Sequence, residues 1–381
     1  MSTYNLPSPD FNSRLTELIF ELEHLREKTL KGTTPKWLFF DLKSVMQLLE
    51  SMTSARIEGN RTTIMGVVDA VIENRTENSD EQILEIFNIQ KAISFIEGYL
   101  AQNGKIDKKF ILELHKLTVA DLEREGSREP GQFRSTDVRI SSSEHQPPTH
   151  VLVNSMMDDL ISFINEENKP QFDLLKMAYV HHRFAWIHPF DNGNGRVTRL
   201  VAYALLVQQK FIDTDGFRIL NPTAIFCSDR NKYYEMLACA DSGDDKDLLS
   251  WSEYVLEGIK TEIEKIDRLL DAEFAKKEII LPSLELARSK EWLNDTEFRI
   301  MKIAMERDVI QANDILPLFG NTHSSRTKAS RVINKMKEQG YLMAHPKMPR
   351  RYVLKFSNNY LLRGVMIQLD KHGFLPINAS E

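Results

Sequence analysis

The sequence has little cysteine and no long apolar run. Its two cysteines, Cys227 and Cys239, match no metal-binding spacing, so we predict two small buried side chains in a reducing compartment rather than a disulfide framework or a zinc site. The adjacent His181 and His182 are interpreted as packing or surface residues, not as metal ligands. No stretch approaches the ~20 apolar residues of a membrane span, and residues 1–7 lack the pattern of a secretory signal. We therefore expect a cytoplasmic protein with no membrane contact.

An excess of charge of one sign is also lacking. The 381 residues include 49 basic and 55 acidic side chains, for a net charge of −6. That balance argues against binding of nucleic acid along the whole chain, although one basic domain stays compatible with it. A chain of this length usually folds into more than one domain, each with its own hydrophobic core. We predict an N-terminal helical region at 1–110, a central region at 111–280 and a C-terminal domain at 281–381.

Apolar side chains recur mostly at helical spacing, which predicts a mainly α-helical chain. The first helix is predicted over 11–31 and the second over 37–57, with Gly59 placed as a helix C-terminal glycine. Between 126 and 153 the composition favours an irregular loop containing a short β-hairpin. Further helices are predicted near 63–72, 80–102, 107–123, 153–167, 171–187, from about 195, and at 229–240, 251–277, 296–307, 310–319 and 324–339, followed by two short strands within 341–354.

A glycine-rich loop stands between two predicted helices. Gly193 and Gly195 let the backbone adopt a positive φ and let a ligand approach closely. The first N–H groups of the following helix form an anion site suited to phosphate, and Arg196 and Arg199 share one face above it. His188, just before the loop, has the side chain suited to proton transfer near neutrality. From these residues alone, a phosphate site and an ordinary glycine-rich loop both stay open.

The pattern His188-Pro189-Phe190-x-x-Gly193-Asn194-Gly195-Arg196-x-x-Arg199 resembles the signature of the Fic family of protein adenylyltransferases. A helix with Ala185-Trp186-Ile187 precedes it, and Gly131-Gln132-Phe133-Arg134 stands upstream. The resemblance covers roughly Pro7 to Lys277. It implies a helical Fic domain with a short β-hairpin flap, with residues 111–280 as the catalytic core.

The resemblance also implies a role for each signature residue. His188 would be the general base that takes the proton of a Tyr, Thr or Ser hydroxyl on a target protein, itself included. That hydroxyl would attack the α-phosphorus of ATP, and pyrophosphate would leave. The other implied roles are a core plug for Phe190, binding of the α- and β-phosphates by Asn194 and the amides of Gly193 to Gly195, neutralisation of the β-phosphate by Arg196, and binding of the γ-phosphate by Arg199.

One position departs from the family pattern. The family usually has Asp or Glu before Gly-Asn-Gly and binds Mg²⁺, whereas this chain has Asn192. An amide oxygen is a weaker ligand for a hard cation than a carboxylate. The resemblance therefore implies Mg²⁺ held by Asn192 and the neighbouring Asp191 with reduced affinity. It leaves phosphoryl transfer, transfer of another nucleotide and removal of AMP open as alternative reactions.

The segment Ser54-Ala55-Arg56-Ile57-Glu58-Gly59 resembles the family's inhibitory motif. Ser54 and Glu58 are four residues apart and share a face of a predicted inhibitory helix at about 40–59. The resemblance implies that Glu58 pairs with Arg199 and occupies the place of the γ-phosphate. The alternative is a solvated charge at the end of a helix.

Two further groups of residues are assigned by their place around the signature. Val138, Arg139 and Ile140 fall where the family has its flap, which adds a strand to the target segment; an ordinary surface hairpin is the alternative. Tyr233 or Tyr234 would stack on adenine, and two core tyrosines are an equally good interpretation.

Three helices followed by two strands at the C-terminus predict a winged helix-turn-helix domain. Basic residues dominate residues 321–351, which is the pattern expected of a DNA-binding helix and wing. Winged helices also serve protein contacts or dimerisation, so a protein partner, a homodimer and a DNA-binding regulator with a nucleotide-sensing Fic domain stay open. The basic residues are Arg326, Lys328, Arg331, Lys335, Lys337, Lys347, Arg350 and Arg351, with Ser324, Ser325 and Thr327 as further phosphate contacts.

Overall fold

The computed structural model describes residues 3–27, 34–73, 80–140, 143–212, 220–320 and 323–375, and most of them are helical. No helix in those ranges is both long enough and apolar enough to cross a membrane. The helices are α1 (Arg14–Glu27), α2 (Lys36–Ile57), α3 (Ile64–Ile72), α4 (Glu81–Ala101), α5 (Lys108–Thr118), α6 (His150–Asn165), α7 (Asp173–Ile187), α8 (Asn194–Gln208), α9 (Thr223–Ser228), α10 (Arg230–Ala240), α11 (Asp245–Leu269), α12 (Ala272–Phe274), α13 (Leu281–Ser289), α14 (Asp295–Arg307), α15 (His323–Glu338) and α16 (Leu361–Lys371), with strands β1 (Leu342–Ala344) and β2 (Tyr352–Leu354).

Side-chain caps fix where several of these helices begin. The side chains of Thr63, Asp80, Asp107, Thr149 and Asp229 each accept a backbone N–H from the first turn of the helix that follows. Such caps satisfy donors that have no partner inside the helix, which makes the start of the helix definite.

The first of two compact units comprises Met1–Leu30, Gln47–Arg61 and Ser79–Glu264. In it α7 packs against α6 and α8, and α4 packs against α5 and α8. Helix α8 is buried along nearly its whole length, from Asn194 to Leu206. A helix buried on all faces lies at the centre of its unit, so the residues at its start are held on a rigid base.

The second unit comprises Lys31–Met46, Thr62–Asn78 and Lys265–Glu381. Helix α13 packs against α14 and α16, and a 3₁₀ helix at Ala312–Phe319 packs against α15. Strands β1 and β2 pair antiparallel, with Leu342 opposite Leu354. This unit therefore has the order of three helical segments and a strand pair that the sequence predicts.

Several element bounds differ from those predicted. Helix α5 ends at Thr118 and the chain reverses at Asp121, which has a φ of 57°. Leu281 and Pro282 lie in helical backbone that continues from a π-helical stretch at Ala275–Ile280. Pro282 is tolerated there because the first turn of a helix needs no N–H donor. Helix α16 was not predicted, and residues 28–31 of the first predicted helix lie outside the described residues.

The predicted β-hairpin is wrong for the described residues of 126–153, whereas the role of Val138, Arg139 and Ile140 as a flap stays a prediction. Residues 137–140 form no strand. Side chains bind the backbone of this segment and its surroundings instead. The Arg134 side chain donates to the carbonyl oxygens of Thr136 and Pro148, and the Asp137 side chain accepts the His150 backbone N–H at 2.7 Å. Val138, Arg139 and Ile140 thus lie in irregular backbone, with Arg139 exposed and the other two half-buried. Residues 141 and 142 of the serine run lie outside the described residues.

The prediction of two buried cysteines is also wrong. Cys239 is exposed and Cys227 is half-buried. Cys239 lies near the end of α10 beside exposed Ala238, on the outward face of that helix. His181 and His182, in contrast, are buried packing residues, 1% and 0% exposed, as predicted.

Candidate active site

Two residues with left-handed backbone define the loop between α7 and α8. His188 ends α7 with a φ of 51°, and Gly193 precedes α8 with a φ of 77°. A Cβ atom at position 193 would lie 2.9 Å from a methyl carbon of Val119. The position therefore needs glycine for both its conformation and its surroundings.

Inside the loop, Asn194 closes a ring with Phe190. The Asn194 side chain accepts the Phe190 N–H at 2.8 Å and donates to the Phe190 carbonyl oxygen at 2.8 Å. Phe190 is fully buried and stacks on His115 with ring centroids 3.8 Å apart. Phe190 is thus the core plug that the resemblance implies, whereas both polar atoms of the Asn194 side chain serve the loop. The site for an anion at this helix start consists of backbone N–H groups.

The imidazole of His188 is arranged to accept a proton. Its Nδ1 lies 3.3 Å from the Ala185 carbonyl oxygen. That oxygen can only accept, so Nδ1 carries the hydrogen and Nε2 keeps a lone pair. Burial lowers the pKa of His188 to about 4. The ring is therefore neutral near pH 7, as a general base must be.

Arg134 fixes the backbone under His188. Its Nε donates to the His188 carbonyl oxygen at 2.8 Å, and its own N–H donates to the Pro189 carbonyl oxygen at 2.9 Å. The Arg134 side chain is fully buried. Arg134 belongs to the quoted stretch 131–134, so the sequence indicated the segment but not this contact.

His115, on α5, joins that segment to the loop. Its Nδ1 accepts the Gly131 N–H at 3.0 Å, so its Nε2 carries the hydrogen that faces the Asn192 carbonyl oxygen at 3.2 Å. Burial lowers the pKa of His115 to about 4. A single histidine within a helix belongs to no recognisable sequence motif. The sequence analysis therefore did not identify His115 as a residue of the site.

The two predicted metal ligands turn their oxygens toward the protein. Asp191 accepts from the Ser127 hydroxyl at 2.5 Å and from the Arg128 N–H at 2.8 Å. The Asn192 amide oxygen accepts the Gly193 N–H at 2.7 Å. Across the described part of the chain, no group of three or more His, Cys, Asp or Glu residues could hold a metal ion. The donor set therefore does not fit Mg²⁺ held by protein ligands, and no chemical step is derived through one.

Arg199 is held by the C-terminal end of α2. Its Nε donates to the Ser54 hydroxyl at 2.9 Å, and its Nη2 donates to Glu58 Oε1 at 2.7 Å. Arg199 is 2% exposed, and the Glu58 side chain is 28% exposed. Burial by itself raises the pKa of Glu58, but the positive charges of Arg199, Arg196 and Arg230 together outweigh burial and hold that pKa below its usual value. Glu58 follows Ile57, the last residue of α2, and Gly59 has the predicted positive φ, 104°.

Gly195 makes room for Glu58. A Cβ atom at position 195 would lie 2.0 Å from Glu58 Oε1 and 3.1 Å from Arg199 Nη1. The carboxylate therefore lies directly against the first turn of α8, where the helix N–H groups favour an anion.

Arg196 has a different set of partners. Its Nη1 lies 2.9 Å from Glu85 Oε1, and its Nη2 donates to the Glu125 carbonyl oxygen at 2.7 Å. Among the described residues, no acceptor makes a well-directed hydrogen bond with Nε or Nη1, although both are buried. Nine in ten buried polar groups have such a partner, so these two donors favour an anionic ligand at Arg196.

The two tyrosines of α10 differ in burial. Tyr233 is 2% exposed, and its hydroxyl lies 3.0 Å from His181 Nε2. Tyr234 is half-buried, with its hydroxyl 3.5 Å from the Ile57 carbonyl oxygen and the Arg230 guanidinium 5.4 Å from its ring centre. Tyr233 is thus a core residue, whereas stacking of Tyr234 on adenine stays a prediction.

In the second unit all eight predicted basic residues are exposed. Ser325 is an exception among the predicted phosphate contacts, because it is 2% exposed and its hydroxyl donates to the Phe319 carbonyl oxygen at 3.1 Å. Lys335 pairs with Glu297 at 2.8 Å. The exposed residues are Ser324, Arg326, Thr327, Lys328, Arg331, Lys335, Lys337, Lys347, Arg350 and Arg351.

Comparison with known proteins places the loop in a known family. The Fic/DOC family matches residues 105–206. A protein adenylyltransferase Fic from Drosophila persimilis is 30% identical over 195 residues, covering 50% of this chain and 35% of the relative. A protein of the same name from Nematostella vectensis is 28% identical over 196 residues, covering 50% of this chain and 42% of that relative. The chain thus spans well under half the length of these curated relatives.

Solved structures show the same fold. A Fic family protein from Desulfovibrio desulfuricans G20 aligns with a TM-score of 0.56 and 22% identity, covering 92% of this chain and 98% of that one. Fic-1 from C. elegans aligns with a TM-score of 0.52 and 19% identity, covering 66% and 72% of the two chains. The family match shows that residues 105–206 contain a Fic domain, and the solved structures show that the chain shares the fold of Fic proteins.

Proposed function

We propose that this protein is a protein adenylyltransferase that moves AMP from ATP onto a Tyr, Thr or Ser hydroxyl of a target protein. The observation that carries the proposal is the neutral His188, which keeps a lone pair on Nε2 and lies between α7 and a helix start that bears two buried arginines. The name of the curated relatives, protein adenylyltransferase, points to the same reaction.

The chemistry follows from these groups. The target oxygen forms a bond to the α-phosphorus, the bond from that phosphorus to the bridging oxygen of the β-phosphate breaks, and pyrophosphate leaves. His188 Nε2 takes the hydroxyl proton. The N–H groups of α8 and the open Nε donor of Arg196 hold the phosphate oxygens. Most of the acceleration would come from position and electrostatics, as in other phosphoryl-type transfers.

The same arrangement favours autoinhibition. Arg199 can bind the γ-phosphate only if its Nη2 is released from Glu58, which lies 2.7 Å away. Glu58 also fills space against Gly195 that a bound phosphate would approach. The wild-type protein would therefore bind ATP in a pose that reacts slowly. Loss of the Glu58 carboxylate would free Arg199.

Labelling with two forms of ATP tests the reaction. With the Glu58→Gly variant, α-³²P-ATP with Mg²⁺ in the buffer should label protein and γ-³²P-ATP should not, because only the AMP moiety is transferred. Label from the γ form would instead show phosphoryl transfer. Release of AMP from a labelled protein on longer incubation would instead show hydrolytic removal of AMP, with water as the attacking group.

The exposed cations of α15 and residues 346–351 favour DNA binding as a second function. A gel shift at low ionic strength should then show binding that weakens steeply with salt, since cations on the protein replace counterions on the phosphates. His188→Ala should leave this binding unchanged. Absence of a shift at low salt would overturn the second function without affecting the first.

A further inference from the structure

Arg196, the first arginine of the signature, faces a buried carboxylate. That carboxylate comes from a different part of the chain than Glu58, which binds Arg199, the second arginine. Glu85, on α4, places Oε1 2.9 Å from Arg196 Nη1, and the two side chains are 3% and 1% exposed. An ion pair of this kind is little screened by salt, because hardly any water reaches it. Salt therefore weakens the attraction between Glu85 and Arg196 only slightly.

The carboxylates around the two arginines outnumber the guanidinium groups, which disfavours the binding of a polyphosphate. Arg199 faces Glu58, while Arg196 faces Glu85 and, at 3.5 Å, the carboxylate of Glu125. Three carboxylates thus surround two guanidinium groups, and the set carries one net negative charge. Since a triphosphate is itself strongly anionic, each of these carboxylates weakens its binding.

Asn60 joins the two carboxylate contacts. It lies two residues after Glu58 and is 7% exposed. Its Nδ2 donates to Glu85 Oε2 at 2.8 Å and to the Gln82 carbonyl oxygen at 2.7 Å. The segment that carries Glu58 is thereby tied to α4, beside the carboxylate that holds Arg196.

We propose that Glu85 is a second inhibitory carboxylate, which restrains Arg196 as Glu58 restrains Arg199, with Asn60 coupling the two. Glu85 acts through Arg196 and is a positioning residue, not a catalytic one. The proposal rests on the nucleotide site proposed above and assigns its second control point. It predicts that ATP affinity is set jointly by Glu58 and Glu85.

Calorimetric titration of the full chain with ATP tests the proposal. Glu85→Gln keeps the size of the side chain and removes its charge. We expect its Kd for ATP and for inorganic triphosphate to fall about tenfold, which corresponds to about 1.4 kcal/mol, and binding of adenosine to stay unchanged. Glu97→Gln is the matched control, because Glu97 also lies on α4 but accepts from Tyr203 and Gln47 instead of a signature arginine. Its Kd should equal that of the wild type.

A second variant covers the case in which Glu85→Gln does not fold. Asn60→Ala keeps every charge and removes the bonds from this amide to Glu85 and to the Gln82 carbonyl oxygen. We expect it to tighten ATP binding about threefold. An unchanged or weaker ATP affinity in the folded variants overturns the role of Glu85. Failure of the proposal about Glu85 can be distinguished from failure of the proposed AMP transfer. Tighter ATP binding without α-³²P labelling in any variant keeps the role of Glu85 and rejects AMP transfer, whereas labelling by Glu58→Gly with unchanged ATP affinity in Glu85→Gln does the reverse.

Discussion

The carboxylate of Glu58 lies where a side chain at position 195 would stand. A Cβ atom there would be 2.0 Å from Glu58 Oε1, and the same oxygen accepts from Arg199 at 2.7 Å. The glycine of the signature loop and the glutamate after α2 are therefore fitted to each other. This relationship ties the phosphate-binding helix start to the inhibitory segment in one contact.

The contact predicts that Gly195→Ala destabilises the protein only when Glu58 is present. In the wild type the new methyl group must displace Glu58 from buried Arg199, and we expect the free energy of unfolding to fall by about 2 kcal/mol. In the Glu58→Gly background the methyl group meets no carboxylate, and alanine's better helix propensity should make the change neutral or stabilising. Urea unfolding of the four proteins measures the difference, and equal effects in both backgrounds would show that the two residues are independent.

The low pKa of His188 predicts a flat pH dependence near neutrality. The base is active when deprotonated, so its contribution is lost only as the pH falls through about 4. With the Glu58→Gly variant, kcat/KM for labelling should stay constant between pH 8 and 6. A histidine of ordinary pKa, about 6.5, would lose half its activity at pH 6.5. A decline centred there, with the fold intact by circular dichroism, would contradict the buried geometry of His188.

Arg134 predicts a positional effect on catalysis. Its guanidinium bonds to three carbonyl oxygens, those of His188, Thr136 and Pro148. A lysine cannot reproduce that planar set. In the Glu58→Gly background, Arg134→Lys should lower kcat by about 10- to 100-fold with a smaller change in KM for ATP, because the base is misplaced rather than the nucleotide.

Arg139→Lys is the control for that comparison, because Arg139 is exposed in the same segment and has no role in holding His188. Its kcat should match that of the parent. If both lysine variants lose activity equally, the effect belongs to the segment as a whole and not to the bonds of Arg134.

The sequence predicted the local features of this fold well, because helix periodicity, caps and turns depend on near neighbours. The spacing of Leu15, Leu18 and Leu22 predicted a helix whose apolar face is buried. Gly59 was correctly placed as a helix C-terminal glycine, and the order of helices around the signature loop followed the pattern.

Long-range partners could not be read in this way. Arg196 and Arg199 lie three residues apart on α8, yet Arg196 pairs with Glu85 of α4 and Arg199 pairs with Glu58, which follows α2. His115 supports the loop across 77 positions of sequence. No local pattern encodes such contacts, because they depend on how α4, α5 and α8 pack.

The flap shows a different limit. Alternation at residues 137–140 predicted a hairpin, but Arg134 and Asp137 bind the backbone groups around it. Side chains that compete for backbone partners override a period-two pattern in a segment this short. The same local competition affects the two predicted metal ligands, because Asp191 and Asn192 accept hydrogen bonds from loop N–H groups instead of facing a cation.

The central claim is that His188 transfers AMP and Glu58 prevents it, and one labelling experiment tests both parts. Wild type, Glu58→Gly and Glu58→Gly with His188→Ala are incubated with α-³²P-ATP, and label on protein is counted. We predict weak label on the wild type, at least about tenfold more on Glu58→Gly, and none on the double variant. Equal label on wild type and Glu58→Gly would contradict autoinhibition by Glu58, and label that persists in the double variant would contradict the role of His188.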